Sequence, residues 1–118
     1  MRYREPVRNC ARLDVDTSIL SGAVGGGEGG GMHLRVSVDL EYSCGGTTSA
    51  EATVTMDGAE IGELLLVPGQ TGEVVVPYYT YILPPTVCVT ADVPILTLAR
   101  VPRGAEPLHL EKCLLVTH

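Results

Sequence analysis

Residues 33–42, HLRVSVDLEY, alternate without a break between apolar and polar side chains. The apolar positions are Leu34, Val36, Val38, Leu40 and Tyr42. Successive side chains of a β-strand point to opposite faces of the sheet, so this pattern predicts a strand with one face on a core and one face in water. It is the clearest structural signal in the chain, and it indicates β structure.

Shorter apolar patterns recur along the rest of the chain, with turn residues between them. Asp57-Gly58 tolerates the positive φ angles of a tight hairpin turn, and PGQTG at residues 68–72 supplies proline and glycine for another turn. No helical periodicity lasts longer than one turn. These patterns predict an all-β fold, a single-domain antiparallel β-sandwich or jelly roll of about eight strands. The remaining strands are predicted at residues 13–20, 50–56, 59–67, 73–77, 86–93, 95–101 and 108–116.

The chain length bounds the number of domains, since 118 residues are enough for one small core. Seven of the ten residues 22–31 are glycine. Such a stretch predicts a flexible loop, because glycine loses the most backbone entropy on ordering. A phosphate-binding loop would need a helix after the glycines, and none is indicated. We therefore predict an N-terminal arm over residues 1–31, with one strand and the glycine-rich loop, and a β-sandwich core over residues 32–118.

The charge distribution argues against a nucleic-acid partner. The net charge is −6, Lys112 is the one lysine, and four of the seven arginines precede residue 13. A nucleic-acid-binding face needs clustered basic residues to displace counterions from phosphates. No apolar run is long enough to cross a bilayer and no secretory signal is evident, so we expect no membrane contact, and an intracellular location is slightly favoured.

Four cysteines are spread widely, at Cys10, Cys44, Cys88 and Cys113. No CxxC pair or zinc-like Cys-His spacing is present, so we expect no metal site. The cysteines are either reduced thiols that act as small hydrophobes or disulfides formed in an oxidising compartment. Cys88 lies in an apolar strand pattern, where buried thiols are common, and this favours the reduced state. Disulfides would allow three connectivities.

Catalytic patterns are absent from the sequence. None of the histidines, His33, His109 and His118, stands at a spacing that pairs it with a nucleophile on one rigid element. Cys113 and His109 would share a strand face but lie roughly 13 Å apart, too far for a hydrogen bond. We therefore predict no enzyme activity, no catalytic residues and no cofactor.

The run YYTYILPP crowds tyrosines ahead of a proline pair. The five residues of interest are Tyr78, Tyr79, Tyr81, Pro84 and Pro85. The prolines remove two backbone donors and set the entry angle of the next strand, while tyrosine rings are common at protein interfaces. We predict an intermolecular interface here. The alternative is that some of these rings plug the open end of the sandwich.

The second half of the chain contains ELLLV at residues 63–67, ILPPTVCVTADV at residues 82–93 and AEPLHLEKCLLV at residues 105–116. This order of an apolar strand, a proline pair and an alternating strand resembles the core of the nucleoplasmin family. The resemblance covers about half of the chain and implies a β jelly roll with a pentameric histone-chaperone role, although this sequence carries no acidic tract. Single jelly-roll subunits of viral particles share the pattern. The matched residues are Leu64, Leu65, Leu66, Pro84, Pro85, Val87, Val89, Pro107, Leu108, Leu110 and Val116.

Two functions follow from these patterns. The first is a non-enzymatic, self-assembling jelly-roll protein, either a nucleoplasmin-like chaperone core or a structural subunit of a particle, with a basic protein as a further partner. It is favoured because ELLLV and EVVVP are apolar on both strand faces, which predicts a second cover from another subunit. The alternative is a monomeric β-sandwich module, secreted or at a cell surface, that binds a protein through loops or a sheet edge. Disulfides would favour the alternative.

Overall fold

The computed structural model describes residues 10–21, 31–46, 48–78, 84–95 and 107–117. The described part of the chain contains strands and turns but no helix, which confirms the all-β prediction. Residues 96–101 of the strand predicted at residues 95–101, and most of the glycine-rich loop, lie outside the described residues. The strands are β1 (Ala11–Leu20), β2 (Met32–Tyr42), β3 (Ala50–Met56), β4 (Ala59–Leu66), β5 (Gly72–Tyr78), β6 (Thr86–Val93) and β7 (Leu108–Leu115).

The seven strands form two antiparallel sheets that pack as a β-sandwich. Sheet 1 has the order β1-β2-β5 and sheet 2 has the order β4-β3-β6-β7. The predicted sandwich is therefore confirmed. The jelly-roll connectivity, which has eight strands in two Greek keys, is not confirmed by seven described strands in this order.

The first strand belongs to the sandwich. β1 pairs with β2 over its full length, from Ala11 opposite Tyr42 to Leu20 opposite His33. Ala11 and Leu13 are both buried in the core. β1 is therefore the edge strand of sheet 1, and it packs together with the strands of residues 32–118.

The core consists of the inward-facing residues of both sheets. Its members are small aliphatic side chains, with Tyr78 as the one aromatic ring among the described buried residues. Burying each valine or leucine contributes about 1.5–3 kcal/mol, so many such residues are needed. The buried residues are Ala11, Leu13, Leu34, Val36, Val38, Leu40, Ala50, Ala52, Val54, Leu66, Tyr78, Val87, Val89, Ala91, Val93 and Val116.

One side of the sandwich closes where β4 meets β5. A β-bulge shifts the β3–β4 register between Val54 and Thr55, which lets β4 bend. Gly62 then lies so close to Val74 that a Cβ atom at this position would stand 2.9 Å from both Val74 methyl groups. Close packing therefore favours glycine here, because a larger residue would force the Val74 side chain or the strand that carries it to shift.

The outer faces of β4 and β5 carry exposed apolar side chains. Leu65 is 61% exposed and Val75 is 46% exposed, so the chain itself covers only the inner face of each strand. A second cover from another subunit stays a prediction. The free edge of sheet 1 at β5 carries Pro77, which has no backbone N–H to offer to an added strand.

The end of the sandwich near the β3–β4 turn is closed by hydrogen bonds. Asp57 (φ 51°) and Gly58 (φ 88°) form the predicted tight turn, in which positive φ at both positions is typical of a hairpin. The Asp57 N–H donates to the Thr86 carbonyl, and the Thr86 N–H donates to Asp57 Oδ1, both at 2.9 Å. The Val116 N–H donates to the Pro85 carbonyl. These bonds tie the turn and β7 to the start of β6.

Candidate functional site

The other end of the sandwich gathers the connections that follow β2, β4 and β6. Antiparallel strands alternate in direction, so the chain leaves these three strands at the same end. Cys10, just ahead of β1, lies there too, because Ala11 pairs with Tyr42 at the last residue of β2. We call the described part of this region the braced end; it comprises residues 10, 43–46, 48–49, 67–71, 94–95 and 107.

A disulfide joins Cys10 to Cys44 at the braced end, with the Cα atoms 5.1 Å apart. The Ser43 N–H donates to the Cys10 carbonyl at 2.7 Å, which extends the β1–β2 pairing toward the bridge. The prediction of reduced cysteines is therefore wrong. Its physical error was to judge each cysteine alone, since the strand pairing that brings Cys10 to Cys44 spans 34 residues of sequence.

A tyrosine hydroxyl ties the two sheets together at the same end. Tyr42 was predicted to face inward, and it is half-buried at the end of β2. Its hydroxyl donates to the Pro94 carbonyl at 2.9 Å, just after β6 of the opposite sheet. The start of the connection from β6 to β7 is therefore held against sheet 1.

The connection from β4 to β5 is a short, ordered turn. The Gln70 N–H donates to the Val67 carbonyl at 2.9 Å, and Gly69 has φ of 91°. Proline at the second position and glycine with positive φ at the third are typical of a type II turn, and the predicted turn is confirmed. The Thr71 hydroxyl donates to Asp39 Oδ1 at 2.6 Å and fixes the turn to β2.

Charged side chains border a shallow cleft beside the disulfide. The cleft has a volume of about 250 Å³ and is lined by residues 10–12 and 41–43. Arg12 forms ion pairs with Glu41 at 2.9 Å and with Asp14 at 3.4 Å. The negative charge of Asp14, followed by that of Glu41, raises the pKa of Arg12. Arg12 therefore stays charged, and its guanidinium group is already paired with acids of the same chain.

A second groove runs along the outer face of β3 and β4 and ends at the braced end. It has a volume of about 300 Å³ and is lined by residues 51–53 and 63–65. Leu65 stands opposite Glu51 in the ladder, and Glu63 stands opposite Thr53. An exposed leucine flanked by two carboxylates can offer both apolar contact and negative charge. Sequence reasoning missed this groove, because it forms only where β3 pairs with β4.

The predicted tyrosine and proline interface divides into buried, exposed and undescribed residues. Tyr78 is 2% exposed and Pro85 is fully buried, so packing within the chain accounts for both. Pro84 is exposed. Tyr79 and Tyr81 lie outside the described residues, so a contact with a partner at those two rings stays a prediction. The position of Tyr78 agrees with the alternative prediction, in which a tyrosine ring fills the open end of the sandwich.

The second disulfide joins Cys88 of β6 to Cys113 of β7. The two residues stand directly opposite each other in the ladder, with Cα atoms 4.0 Å apart. No free cysteine remains in the described part of the chain. The strand prediction for Cys88 is confirmed, but its thiol is bridged rather than reduced.

The histidines do not assemble a catalytic group among the described residues. His109 lies on the outer face of β7, as predicted, and its Nδ1 is 2.8 Å from Asp92 Oδ1 on β6. Both side chains are about two-thirds exposed, at 65% and 66%. His33 pairs with Pro77 and Leu20 in sheet 1, and His118 lies outside the described residues. The His109–Asp92 pair is therefore a surface cross-strand contact.

Comparison with known proteins found no matching family model, no similar curated protein and no similar solved structure. Among the residues with a described position, no helix is long and apolar enough to cross a membrane.

Proposed function

We propose that this chain is a disulfide-braced β-sandwich module that binds a protein partner through its braced end. The observation that carries the proposal is the Cys10–Cys44 bridge, which covalently holds the segment before β1 against the loop after β2. Disulfides persist in oxidising environments such as the cell exterior. We therefore place the module in a secreted or surface-exposed protein.

The arrangement of the braced end supports a binding role. Loops on a rigid scaffold carry binding surfaces in many β-sandwiches, and in immunoglobulin variable domains the binding loops cluster at one end. The likeness to those domains is one of architecture alone. Here the disulfide, the Tyr42–Pro94 hydrogen bond and the Thr71–Asp39 hydrogen bond restrain three separate connections. Restrained loops lose less entropy on binding, so they bind more tightly.

The charge around the braced end favours a basic partner. Glu51 and Glu63 flank the exposed Leu65 in the groove on sheet 2. On the outer face of sheet 1, five carboxylates accompany two arginines, Arg12 and Arg35, and Arg12 is already paired with acids. A lysine- or arginine-rich segment with an apolar residue would match this surface. The acids on that outer face are Asp14, Asp16, Asp39, Glu41 and Glu73.

An NMR titration of the oxidised, isotope-labelled chain with a synthetic arginine- and lysine-rich peptide tests this proposal. We expect chemical-shift changes at residues 41–46 and 63–71, with affinity that falls as salt is raised. The Glu51→Gln, Glu63→Gln double variant should bind roughly tenfold more weakly, since each exposed charge contributes about 0.2–1 kcal/mol. Glu60→Gln, on the same strand as Glu63 but near the hairpin turn, is the matched control. Shift changes confined to the opposite end of the sandwich would overturn the proposal.

Self-assembly is the second candidate, in the nucleoplasmin-like or particle-subunit form with a jelly-roll connectivity. The exposed apolar side chains Leu65, Val75 and Leu115 favour it. Light scattering on a sizing column separates the two candidates. A mass of 12.5 kDa at all concentrations fits the binding module, whereas a sharp multiple of that mass fits a closed assembly.

The tyrosine run offers a further test of self-assembly. If Tyr79 and Tyr81 contact a neighbouring subunit, the Tyr79→Ala, Tyr81→Ala double variant should lower the solution mass while the β circular-dichroism signal stays unchanged. Tyr78→Ala serves as the contrasting variant, because that ring lies in the core and its removal should destabilise the fold by about 3–5 kcal/mol.

A further inference from the structure

The outer face of the β6–β7 pair brings two sulfurs and a carboxylate together. Cys88 and Cys113 stand opposite each other, and Glu111 lies two residues before Cys113 on β7. The two Sγ atoms and a Glu111 carboxylate oxygen all lie within 4.8 Å of one another. Glu111 Oε2 is 3.8 Å from Cys113 Sγ. Because a bridged sulfur carries no proton, this approach is a contact rather than a hydrogen bond.

The ladder holds the two cysteines opposite each other independently of the bridge. The β6–β7 register runs without a shift from Thr86–Leu115 to Val93–Leu108, so paired residues flank Cys88–Cys113 on both sides. Val87 and Val89, which flank Cys88, are fully buried in the core and anchor β6. Reduction of the disulfide therefore leaves two thiols side by side on a fixed backbone.

The site is accessible from solvent. β7 is the edge strand of sheet 2, and both Cys113 and Glu111 are exposed, while Cys88 is half-buried. A reductant can reach the Cys113 sulfur, and a cation can reach all three groups. Thiolates and a carboxylate form a ligand set that suits zinc.

We propose that Cys88, Cys113 and Glu111 bind a thiophilic divalent cation of the zinc class once the disulfide is reduced. A dithiol reductant attacks one sulfur, the S–S bond breaks, and the reductant leaves as its own disulfide. Two electrons and two protons pass to Cys88 and Cys113. The cation then displaces the two thiol protons and binds both sulfurs and the carboxylate. This proposal goes beyond the binding role of the braced end and does not rest on it.

The spacing of the two cysteines fits such a site. Tetrahedral zinc with Zn–S bonds of about 2.3 Å places its sulfurs roughly 3.8 Å apart. Opposed residues with Cα atoms 4.0 Å apart can reach that separation by side-chain rotation alone. Three protein ligands leave the fourth position to water, as in open zinc sites. The sequence showed no CxxC spacing because the ligands come from two strands, 25 residues apart.

Cobalt binding to the full-length chain tests the proposal, because Co²⁺ in a tetrahedral thiolate site has a strong visible absorption. A trialkylphosphine is the reductant, since it converts the disulfide and one water into two thiols and a phosphine oxide and adds no competing thiol. The Cys10→Ser, Cys44→Ser variant isolates the site. After reduction it should bind one equivalent of Co²⁺, and added Zn²⁺ should abolish the absorption. Before reduction it should show none.

Matched variants assign the ligands. The Cys88→Ser, Cys113→Ser variant retains the other cysteine pair and should show no tetrahedral thiolate absorption. Glu111→Gln should weaken Co²⁺ binding about a hundredfold. Replacing even a residue that only supports a metal ligand typically lowers metal affinity by about 10–100-fold. Glu73→Gln, an exposed acid on the outer face of sheet 1, should bind as the parent does.

Three results would overturn the proposal. One is a reduced Cys10→Ser, Cys44→Ser variant that keeps its β circular-dichroism signal but gives no cobalt absorption. Another is loss of that signal on reduction, since the ladder would then not hold the thiols in place. The third is unchanged affinity in Glu111→Gln, which would remove the carboxylate from the ligand set.

Discussion

The two disulfides lie in different kinds of structure. Cys10 and Cys44 lie beyond the last pair of the β1–β2 ladder, in segments without regular pairing of their own. Cys88 and Cys113 lie inside the β6–β7 ladder, where neighbouring pairs already hold them opposite each other. At the first bridge the backbone adds only one hydrogen bond beyond the ladder, from the Ser43 N–H to the Cys10 carbonyl, whereas the second bridge repeats a connection that paired backbone makes on both sides.

This difference separates global stability from local order. A disulfide stabilises mainly by restricting the unfolded chain, and that effect depends on the length of the closed loop. The loops are similar, with sequence separations of 34 and 25. Both bridges should therefore contribute nearly the same free energy of unfolding. Their local effects should differ, because only Cys10–Cys44 restrains a segment that the ladder leaves unpaired.

The largest effect is expected from removing both bridges. Each disulfide contributes about 3.5–4 kcal/mol in the loop-closure view, whereas the whole stability of a small domain is about 5–15 kcal/mol. The variant with serine at all four cysteine positions should therefore lose about 7–8 kcal/mol and melt far below the parent. Circular dichroism and a thermal melt measure this directly. A four-serine variant that melts within a few degrees of the parent would contradict the disulfide contribution.

Removing one bridge at a time tests whether the two contribute equally. The Cys10→Ser, Cys44→Ser and Cys88→Ser, Cys113→Ser variants should each lose about 3.5–4 kcal/mol, within roughly 0.5 kcal/mol of each other. Urea denaturation gives both values. Hydrogen exchange should then separate the variants, with protection lost at residues 43–46 only in the first. Equal local loss around both bridges would show that the β6–β7 ladder depends on its disulfide.

Tyr42→Phe sharpens the comparison at the braced end. The substitution removes one hydrogen bond, from the Tyr42 hydroxyl to the Pro94 carbonyl, and keeps the ring. We expect a loss of about 0.5–1.5 kcal/mol in urea denaturation, and faster exchange near Ile95. If the hydrogen bond and the disulfide restrain separate connections, the losses in free energy of unfolding from Tyr42→Phe and from Cys10→Ser, Cys44→Ser should add. A strongly non-additive result would show that they restrain one unit.

The smallest effect is expected for the exposed His109–Asp92 pair. This contact also joins β6 to β7, but both side chains are about two-thirds exposed, so water and salt screen it. Asp92→Asn should change the free energy of unfolding by less than about 0.5 kcal/mol at neutral pH. His109→Gln is the control from the other side of the pair. A loss above 1 kcal/mol would mean that the β6–β7 ladder relies on this contact.

The regular part of the fold was predictable because its signals are local. Alternation placed Val36 and Val38 on an inner face, and Asp57-Gly58 marked a turn that the structure confirms with positive φ at both residues. Each signal depends on residues within one strand or one turn. Physical rules of period and backbone conformation are enough to interpret them.

The candidate sites were not predictable in the same way, because they depend on pairing between distant segments. Cys10 meets Cys44 only when β1 pairs with β2, and Glu111 approaches Cys88 only when β7 pairs with β6. Tyr78 is buried only because the end of β5 pairs with the start of β2, where Tyr78 lies opposite Met32. An apolar pattern along one strand does not show which residues of a distant strand will lie opposite it. Sequence reasoning therefore missed both disulfides and the outer groove.

Pro77 has a consequence for how copies of this chain can associate. Sheet 1 has two edges, at β1 and β5, and Pro77 withholds a donor at the β5 edge. Within sheet 1, Pro77 therefore makes β1 the better edge for backbone pairing between copies. Repeated growth into a fibre needs two usable edges on every copy, whereas a single usable edge is consumed when two copies meet. Association through the β1 edge would end at a symmetric pair, and one proline would favour that pair over a fibre grown through sheet 1.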